Sequence, residues 1–510
     1  MNWYKKIFRN ILYNWAGFLL NLIIAFFMSP FIVHRLGNTY YGVWVIMMQL
    51  TGYLGILELG VRSSIVKYVS EYHGSGETEK INQAVNAAIS IYTIVGLISF
   101  AISCIIAVIF PLIFNLSDAS IFVTRVIIII TGVTVAQDFI FNTFYGILMG
   151  IQRYDIHNKV GMLFTLIRSF FIILFLMIGE GIVALAVIHL VASFASNMTI
   201  VYYCKKQLPV LKIAWFRNTG SAYRMIFKYS SQSFFIRVSQ KLVYQTDSFI
   251  IGIFMNLSAV TFYSIPGTLI EYMRRLVIAM TEIFVPVASE LGAKNDSARM
   301  RRLLIYGTRI SLSVGLPICI VFLIMGEQFI SLWMGEEYAK AGINVLIILT
   351  ITQIFSLTHL TSREILYGLA KQRICIYCYG GEAVANILLS VILVRSYGIE
   401  GVAIGTAIPH IAVVLFAFPV IISRIIGINV WDYIKEAFLP PMVPSIVFAV
   451  GCLMVTRFWI AESLFTYFLS ITILLPLFLI PAWFTCLGKE ERSKCRYAVE
   501  KAFVGTTRSR

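Results

Sequence analysis

Five basic side chains lie in the middle thirds of long apolar stretches: Arg168, Arg237, Lys241, Arg274 and Arg275. The acids at comparable depth are Asp138, Asp247, Glu271 and Glu382. A charge in the centre of a bilayer is costly, so groups at that depth bind, relay or pair. Arginine presents a planar fork that donates two hydrogen bonds to two oxygens of one phosphate. Arg237, Lys241, Arg274 and Arg275 share one apolar hairpin, Phe234 to Glu282. Arg237 and Lys241 are four residues apart and fall on one helical face, as do Glu271, Arg275 and Glu282 on the next segment. Such a set suits an anionic head group, and binding of a phosphate-type group is expected of these four cations together with Arg168. Between the two segments, Pro266-Gly267 is expected to break the helix and free backbone groups to line a cavity.

The acids support a second chemistry, ion coupling. A carboxylate in a dry cavity takes up a proton far more readily than one in water. Asp247 and Glu271 are the candidates for that role, each also a salt-bridge partner for Lys241 or Arg275. Nearer one membrane face lie Glu58 with Arg62, Arg309, and Arg363 with Glu364. These are placed to act as gate ion pairs, although the expectation is that their long side chains snorkel to water. Asp247, Glu271, Glu282, Glu58 and Arg363 therefore form the coupling or gating set.

The elements that must carry these groups follow from composition. The chain has 510 residues, 59% hydrophobic and 13% charged, with a mean hydropathy of +0.84. Such a chain is an all-α polytopic membrane protein. Fourteen apolar segments of spanning length are expected, at 10–34, 40–63, 84–114, 121–149, 158–178, 181–203, 225–254, 258–285, 303–325, 341–367, 373–395, 400–424, 440–458 and 463–487. The net charge of +16 does not imply nucleic acid. With the N-terminus in the cytoplasm, almost all Lys and Arg fall in cytoplasmic loops, and only Arg35, Lys340, Arg395 and Arg457 lie opposite. Both termini are then cytoplasmic.

An internal repeat runs through the first twelve segments. Val69-Ser70-Glu71 matches Ala288-Ser289-Glu290, Gly96-Leu97 matches Gly315-Leu316, and Glu180-Gly181 matches Glu400-Gly401, all at offsets near 219. Gly150 and Gly368 agree as well. Two six-helix lobes in parallel repeat suit a transporter that rocks about a central cavity. The expected division is 1–224 for the first lobe with its basic linker, 225–430 for the second, and 431–510 for two accessory helices and a basic tail. Ser63–Asn82 and Val285–Arg302 read either as interfacial helices or as plain loops.

Other chemistries have little support. The eight cysteines form no disulfide framework, and Cys375 and Cys378 make a CxxC without a second pair. His189 and His410, at similar places in the two repeats, read as polar packing groups, so no metal and no cofactor is expected. No phosphate-binding glycine loop of the ATPase type is present, and no loop is large enough to carry an enzyme's active site.

The stretches Leu36-Gly37-Asn38-Thr39-Tyr40-Tyr41-Gly42-Val43-Trp44 and Tyr53-Leu54-Gly55-Ile56-Leu57-Glu58-Leu59-Gly60, followed by Val69-Ser70-Glu71, resemble the opening of bacterial polysaccharide flippases. These belong to the multidrug/oligosaccharidyl-lipid/polysaccharide exporter superfamily. The resemblance implies a transporter that moves undecaprenyl-diphosphate-linked oligosaccharide, of the O-antigen repeat-unit type, from the cytoplasmic to the outer leaflet of the bacterial cytoplasmic membrane. It implies cationic residues near the diphosphate, a role assigned here to Arg237, Lys241, Arg274, Arg275 and Arg168. The partners it implies are the lipid-linked substrate, membrane lipid, and the polysaccharide polymerase with other assembly proteins. The rival readings are a cation-coupled multidrug efflux pump of the sister family, and a membrane glycosyltransferase or polymerase of the same pathway.

Overall fold

The computed structural model describes residues 3–58, 60–114, 118–214, 220, 223–226, 246–488 and 492–493. Among these residues the regular structure is helical throughout. Eleven runs are long and apolar enough to cross a bilayer. Two of them are bent at glycines: Gly37 (φ 75°, ψ 165°) and Gly398 (φ 57°, ψ −135°). A side chain would be strained at that positive φ, so these glycines let one apolar run fold into two legs. Eleven runs with two bends make thirteen legs, against fourteen expected segments. The expected segment 225–254 lies largely outside the described residues.

The chain divides into two compact units, Met1–Thr261 and Phe262–Arg510. In the first, α1 (Trp3–Leu54) leads through a 3₁₀ turn, Gly55–Glu58, into α2 (Val61–Ser75). Then follow α3 (Thr78–Ile113), α4 (Asp118–Gly150), α5 (Tyr154–Ile178), α6 (Ile182–Gln207) and the short α7 (Asp247–Phe254). Helix α3 packs along α4, α4 against α6, and α1 against α5. Helix α7 is held to α1 by Gln49 Nε2 donating to Ser248 Oγ (2.7 Å) and by Tyr53 with Thr246 (2.9 Å). Beyond α6, an extended segment is strapped to α3 by two buried asparagines. Asn82 donates to the Val210 carbonyl (3.0 Å) and accepts from the Lys212 amide (2.8 Å). Asn86, one turn on, donates to the Lys212 carbonyl (2.9 Å) and accepts from the Ala214 amide (2.8 Å).

Helix α8 (Leu257–Thr281) crosses the division, and the second unit continues with α9 (Phe284–Ala293), α10 (Ser297–Met334), α11 (Glu336–Leu357), α12 (Leu360–Gly368) and α13 (Arg373–Ala412). A π-helical turn, Val413–Ala417, joins α13 to α14 (Phe418–Ile426). Last come α15 (Val430–Phe458) and α16 (Leu464–Thr485), which pack on each other and on α10. Their starts are capped as the sequence dictates: Asn429 accepts from the Trp431 amide, and Ser463 forms a capping box with Thr466.

The repeat is visible in packing. A Cβ on Gly150 would stand 2.9 Å from that of Val69, and one on Gly368 would stand 2.7 Å from that of Ala288. These are the residues paired by the sequence offset, so the same close approach occurs once in each unit.

Two expectations are corrected, and one open alternative is decided. Helix α8 runs unbroken through Pro266-Gly267, because the proline ring settles over Gly342 of α11, whose missing side chain leaves the room. The expected single segment 341–367 is two helices, α11 and α12, parted at Thr358–His359. The two linker stretches hold helices α2 and α9 rather than loops, with Val61, Ile65 and Val69 of α2 buried.

Candidate functional site

A polar cavity of about 370 Å³ lies within the first unit, among α4, α5 and α6, with Arg62 reaching in from α2. Each helix contributes side chains at helical spacing. Asp138, Asn142 and Tyr145 come from α4, Gly161, Thr165 and Arg168 from α5, and His189, Ser193, Ser196 and Asn197 from α6. Steps of three and four place each set on one face. The spacing is present in the sequence, but small polar residues in apolar helices also serve ordinary packing, so only the convergence of three helices marks the site.

The charges in this cavity differ in how they are satisfied. Asp138 Oδ1 accepts from Ser193 Oγ (2.5 Å) and Asn197 Nδ2 (2.8 Å), so neutral donors hold the carboxylate. Arg62 is compensated: its Nε lies 3.2 Å from Glu58 Oε1, and its Nη2 donates to Asn142 Oδ1. Tyr92 donates to the same Glu58 oxygen at 3.4 Å. Arg168 makes no hydrogen bond or ion pair among the described residues, and Asp138 is the carboxylate within its electrostatic reach. A guanidinium with donors open to a polar cavity has the chemistry to bind an anion.

The other sequence-predicted residues lie elsewhere. Glu271 binds both of its neighbours, with Arg274 Nε at 2.8 Å and Arg275 Nε at 2.7 Å. One carboxylate thus serves two guanidiniums, and the Arg275 side chain is 64% exposed. Asp247 opens α7 within electrostatic reach of Tyr53. Glu282 follows the end of α8 and lies within reach of Glu364 and Arg363. Arg237 and Lys241 fall outside the described residues.

Snorkelling is overturned for the pairs near the membrane face. Glu58 and Arg363 are each 8% exposed and Glu364 is 2% exposed. Their charge is met inside the protein: Arg363 Nε donates to Glu364 Oε1 at 2.9 Å, as Arg62 meets Glu58. Arg309 instead ties the last two helices to α10, donating to the Glu436 carbonyl (2.8 Å) and the Cys486 carbonyl (3.3 Å). His189 and His410 also do more than pack: His189 lines the cavity, and His410 Nδ1 lies 2.7 Å from Glu382 Oε1.

A multi-pass helical membrane protein with a cationic, polar-lined cavity in its first unit is the class these features define. The chain belongs to the family described as polysaccharide biosynthesis protein, whose model matches residues 36–342. It is 21% identical over 405 residues to a putative O-antigen transporter of Shigella flexneri, covering 79% of this chain and 94% of that one. It is 20% identical over 439 residues to the lipid II flippase MurJ of Bacillus subtilis, covering 78% of this chain and 79% of that protein. The fold is similar to a solved structure of lipid II flippase MurJ in an inward closed conformation. That match has a TM-score of 0.72 at 15% identity and covers 93% of this chain and 97% of the other.

Proposed function

We propose that this protein flips a lipid-linked oligosaccharide for surface polysaccharide assembly, carrying an undecaprenyl-diphosphate-linked repeat unit from the cytoplasmic to the outer leaflet. The observation that carries this reading is Arg168, a guanidinium without a hydrogen bond or ion pair among the described residues, facing a polar cavity within the membrane-spanning helices. Family membership and the named activities of the relatives support it. On this reading Arg168 receives a diphosphate oxygen pair, while Asn142, Thr165, Ser196 and Asn197 offer hydroxyls and amides suited to sugar hydroxyls. Arg237, Lys241, Arg274 and Arg275 are further candidates for the diphosphate, from their charge and their place in apolar segments. The prenyl chain stays in lipid, because moving it into a polar cavity forfeits its apolar environment. The protein acts as a transporter rather than an enzyme, in the bacterial cytoplasmic membrane, with both termini cytoplasmic. A polysaccharide polymerase of the same pathway is its expected neighbour.

The test is export in a strain lacking the gene, complemented with variants. The leaflet that holds the lipid-linked oligosaccharide is read with a membrane-impermeant probe. Wild type should clear substrate from the cytoplasmic leaflet. Loss of a charge-assisted, two-pronged hydrogen bond is worth about 1.5–3 kcal/mol, so Arg168→Ala should weaken substrate handling roughly 10–150-fold. Arg168→Lys, which keeps the charge and loses the fork, should fall between. Full export by Arg168→Ala at wild-type protein levels would remove Arg168 from the site. An unchanged leaflet distribution in the deletion strain, with new sensitivity to cationic dyes, would move the chain to drug efflux.

A further inference from the structure

The second unit holds a buried polar cluster that the anion site does not use. Glu382 and His410 both belong to α13, 28 residues apart, on opposite sides of the bend at Gly398. The bend brings them side by side, with His410 Nδ1 2.7 Å from Glu382 Oε1 and exposures of 2% and 4%. Among the described residues the second carboxylate oxygen, Glu382 Oε2, is buried without a hydrogen-bond partner, and so is Asn386 Nδ2 one turn along. The helix is irregular just here: Pro409 cannot donate a backbone bond, and the π-helical turn begins at Val413.

The surrounding titratable and charged groups do not cancel the pair. His359, between α11 and α12, places its Nε2 3.1 Å from the Tyr379 hydroxyl and its ring 5.7 Å from that of His410. Arg363 of α12 is electrostatically close to His359 but carries its own counter-ion, Glu364. On α13 itself, Cys378 and Tyr379 are neutral thiol and phenol neighbours, and α14 brings the apolar Phe418 against His359. A carboxylate and an imidazole sharing one proton are neutral overall. With no proton the pair is an uncompensated anion, and with two it is a cation. Either is costly in a dry interior.

His410 stands in the second repeat near the place His189 takes in the first, 221 residues earlier. There the histidine lines a cavity with an arginine. Here it contacts a carboxylate directly. We infer that Glu382–His410 is a proton-binding site whose loading and release accompany the transport cycle. Only N–H and O–H bonds change: the proton sits on His410 Nδ1 or Glu382 Oε1 and leaves to, or arrives from, water.

The full chain is reconstituted in liposomes and read in two ways. First, a pH-jump infrared difference spectrum monitors the carboxylic-acid and imidazole bands, without substrate. Second, translocation of a fluorescent undecaprenyl-diphosphate-oligosaccharide is followed with and without a pH gradient; this arm rests on the flippase reading. In wild type a pH-dependent band pair should appear that Glu382→Gln and His410→Gln each remove, while Glu382→Asp retains it. The gradient should accelerate wild-type translocation at least about fivefold, and both Gln variants should lose that acceleration. A spectrum unchanged by both Gln variants overturns the proton site, as does full gradient dependence in them or its replacement by a sodium gradient. Absence of any wild-type translocation, with the band pair present, overturns the flippase reading and leaves the proton site standing. Misfolding of one Gln variant is bypassed by the other, and by the Asp variant.

Discussion

Arg363 and Arg168 are both arginines within apolar surroundings, and they differ in one respect that decides their roles. Arg363 is bonded by Glu364 and is 8% exposed, whereas Arg168 has no such partner among the described residues. Breaking a buried pair leaves a bare charge and costs about 3–5 kcal/mol, while replacing both members with apolar groups is often neutral. Glu364→Gln should therefore lower the thermal unfolding midpoint of the detergent-purified protein markedly, and the double change Arg363→Leu with Glu364→Leu should restore much of it. A midpoint unmoved by Glu364→Gln would show that the pair is not structurally important. Glu271 shows the same pairing: both of its oxygens are taken by guanidiniums. Sequence spacing foresaw an Arg275 contact for Glu271, since four residues is one helical turn. It could not foresee the Glu382–His410 contact across 28 residues and a bend.

At the scale of elements, the asparagine strap on α3 converts a loop into a fixed strand-like segment. Each asparagine satisfies one carbonyl and one amide that would otherwise lack partners in a partly buried position. Asn86→Ala should release the Ala214 amide while the Lys212 amide, held by Asn82, stays protected. A lost hydrogen bond leaving a buried group unsatisfied costs about 1–3 kcal/mol, so exchange at Ala214 should quicken roughly 5–150-fold. Equal quickening at both amides would mean that the two asparagines act as one unit. The start of α16 after Ser463 agrees with the expected segment 463–487, whereas α15 starts at Val430, ten residues before the expected 440. Pro266 was misread, because proline breaks helices in general, and its tolerance here depends on Gly342 in another helix.

For the whole molecule, the placement of charge argues a topology. If cytoplasmic loops carry the Lys and Arg excess, Lys206 at the end of α6 and Lys340 near the start of α11 lie on opposite sides of the membrane. In sealed, right-side-out vesicles, Lys340→Cys should react with an impermeant thiol reagent and Lys206→Cys should not. The reverse pattern would invert the orientation. The paired close approaches at Gly150 and Gly368 also operate at this scale, because one packing solution serves each unit in turn. The bulky side chains left on the surface, such as Leu112 and Phe122, are what a bilayer-facing belt requires.

The residues by themselves determined that the chain is a helical membrane protein with a repeated half and deep cations. A helix in lipid satisfies its own backbone, so hydropathy along the chain reports the spans directly. The Gly37 and Gly398 bends, the cavity among α4, α5 and α6, and the partners of each charge were decided only in three dimensions. The reason is that compensation of a buried charge depends on which helix faces reach each other. Spacing within one helix says nothing of a neighbour tens or hundreds of residues away. Arg62, bound to Asn142, and Arg168, left to the cavity, have the same side-chain chemistry and opposite fates, and the difference lies wholly in the packing around them.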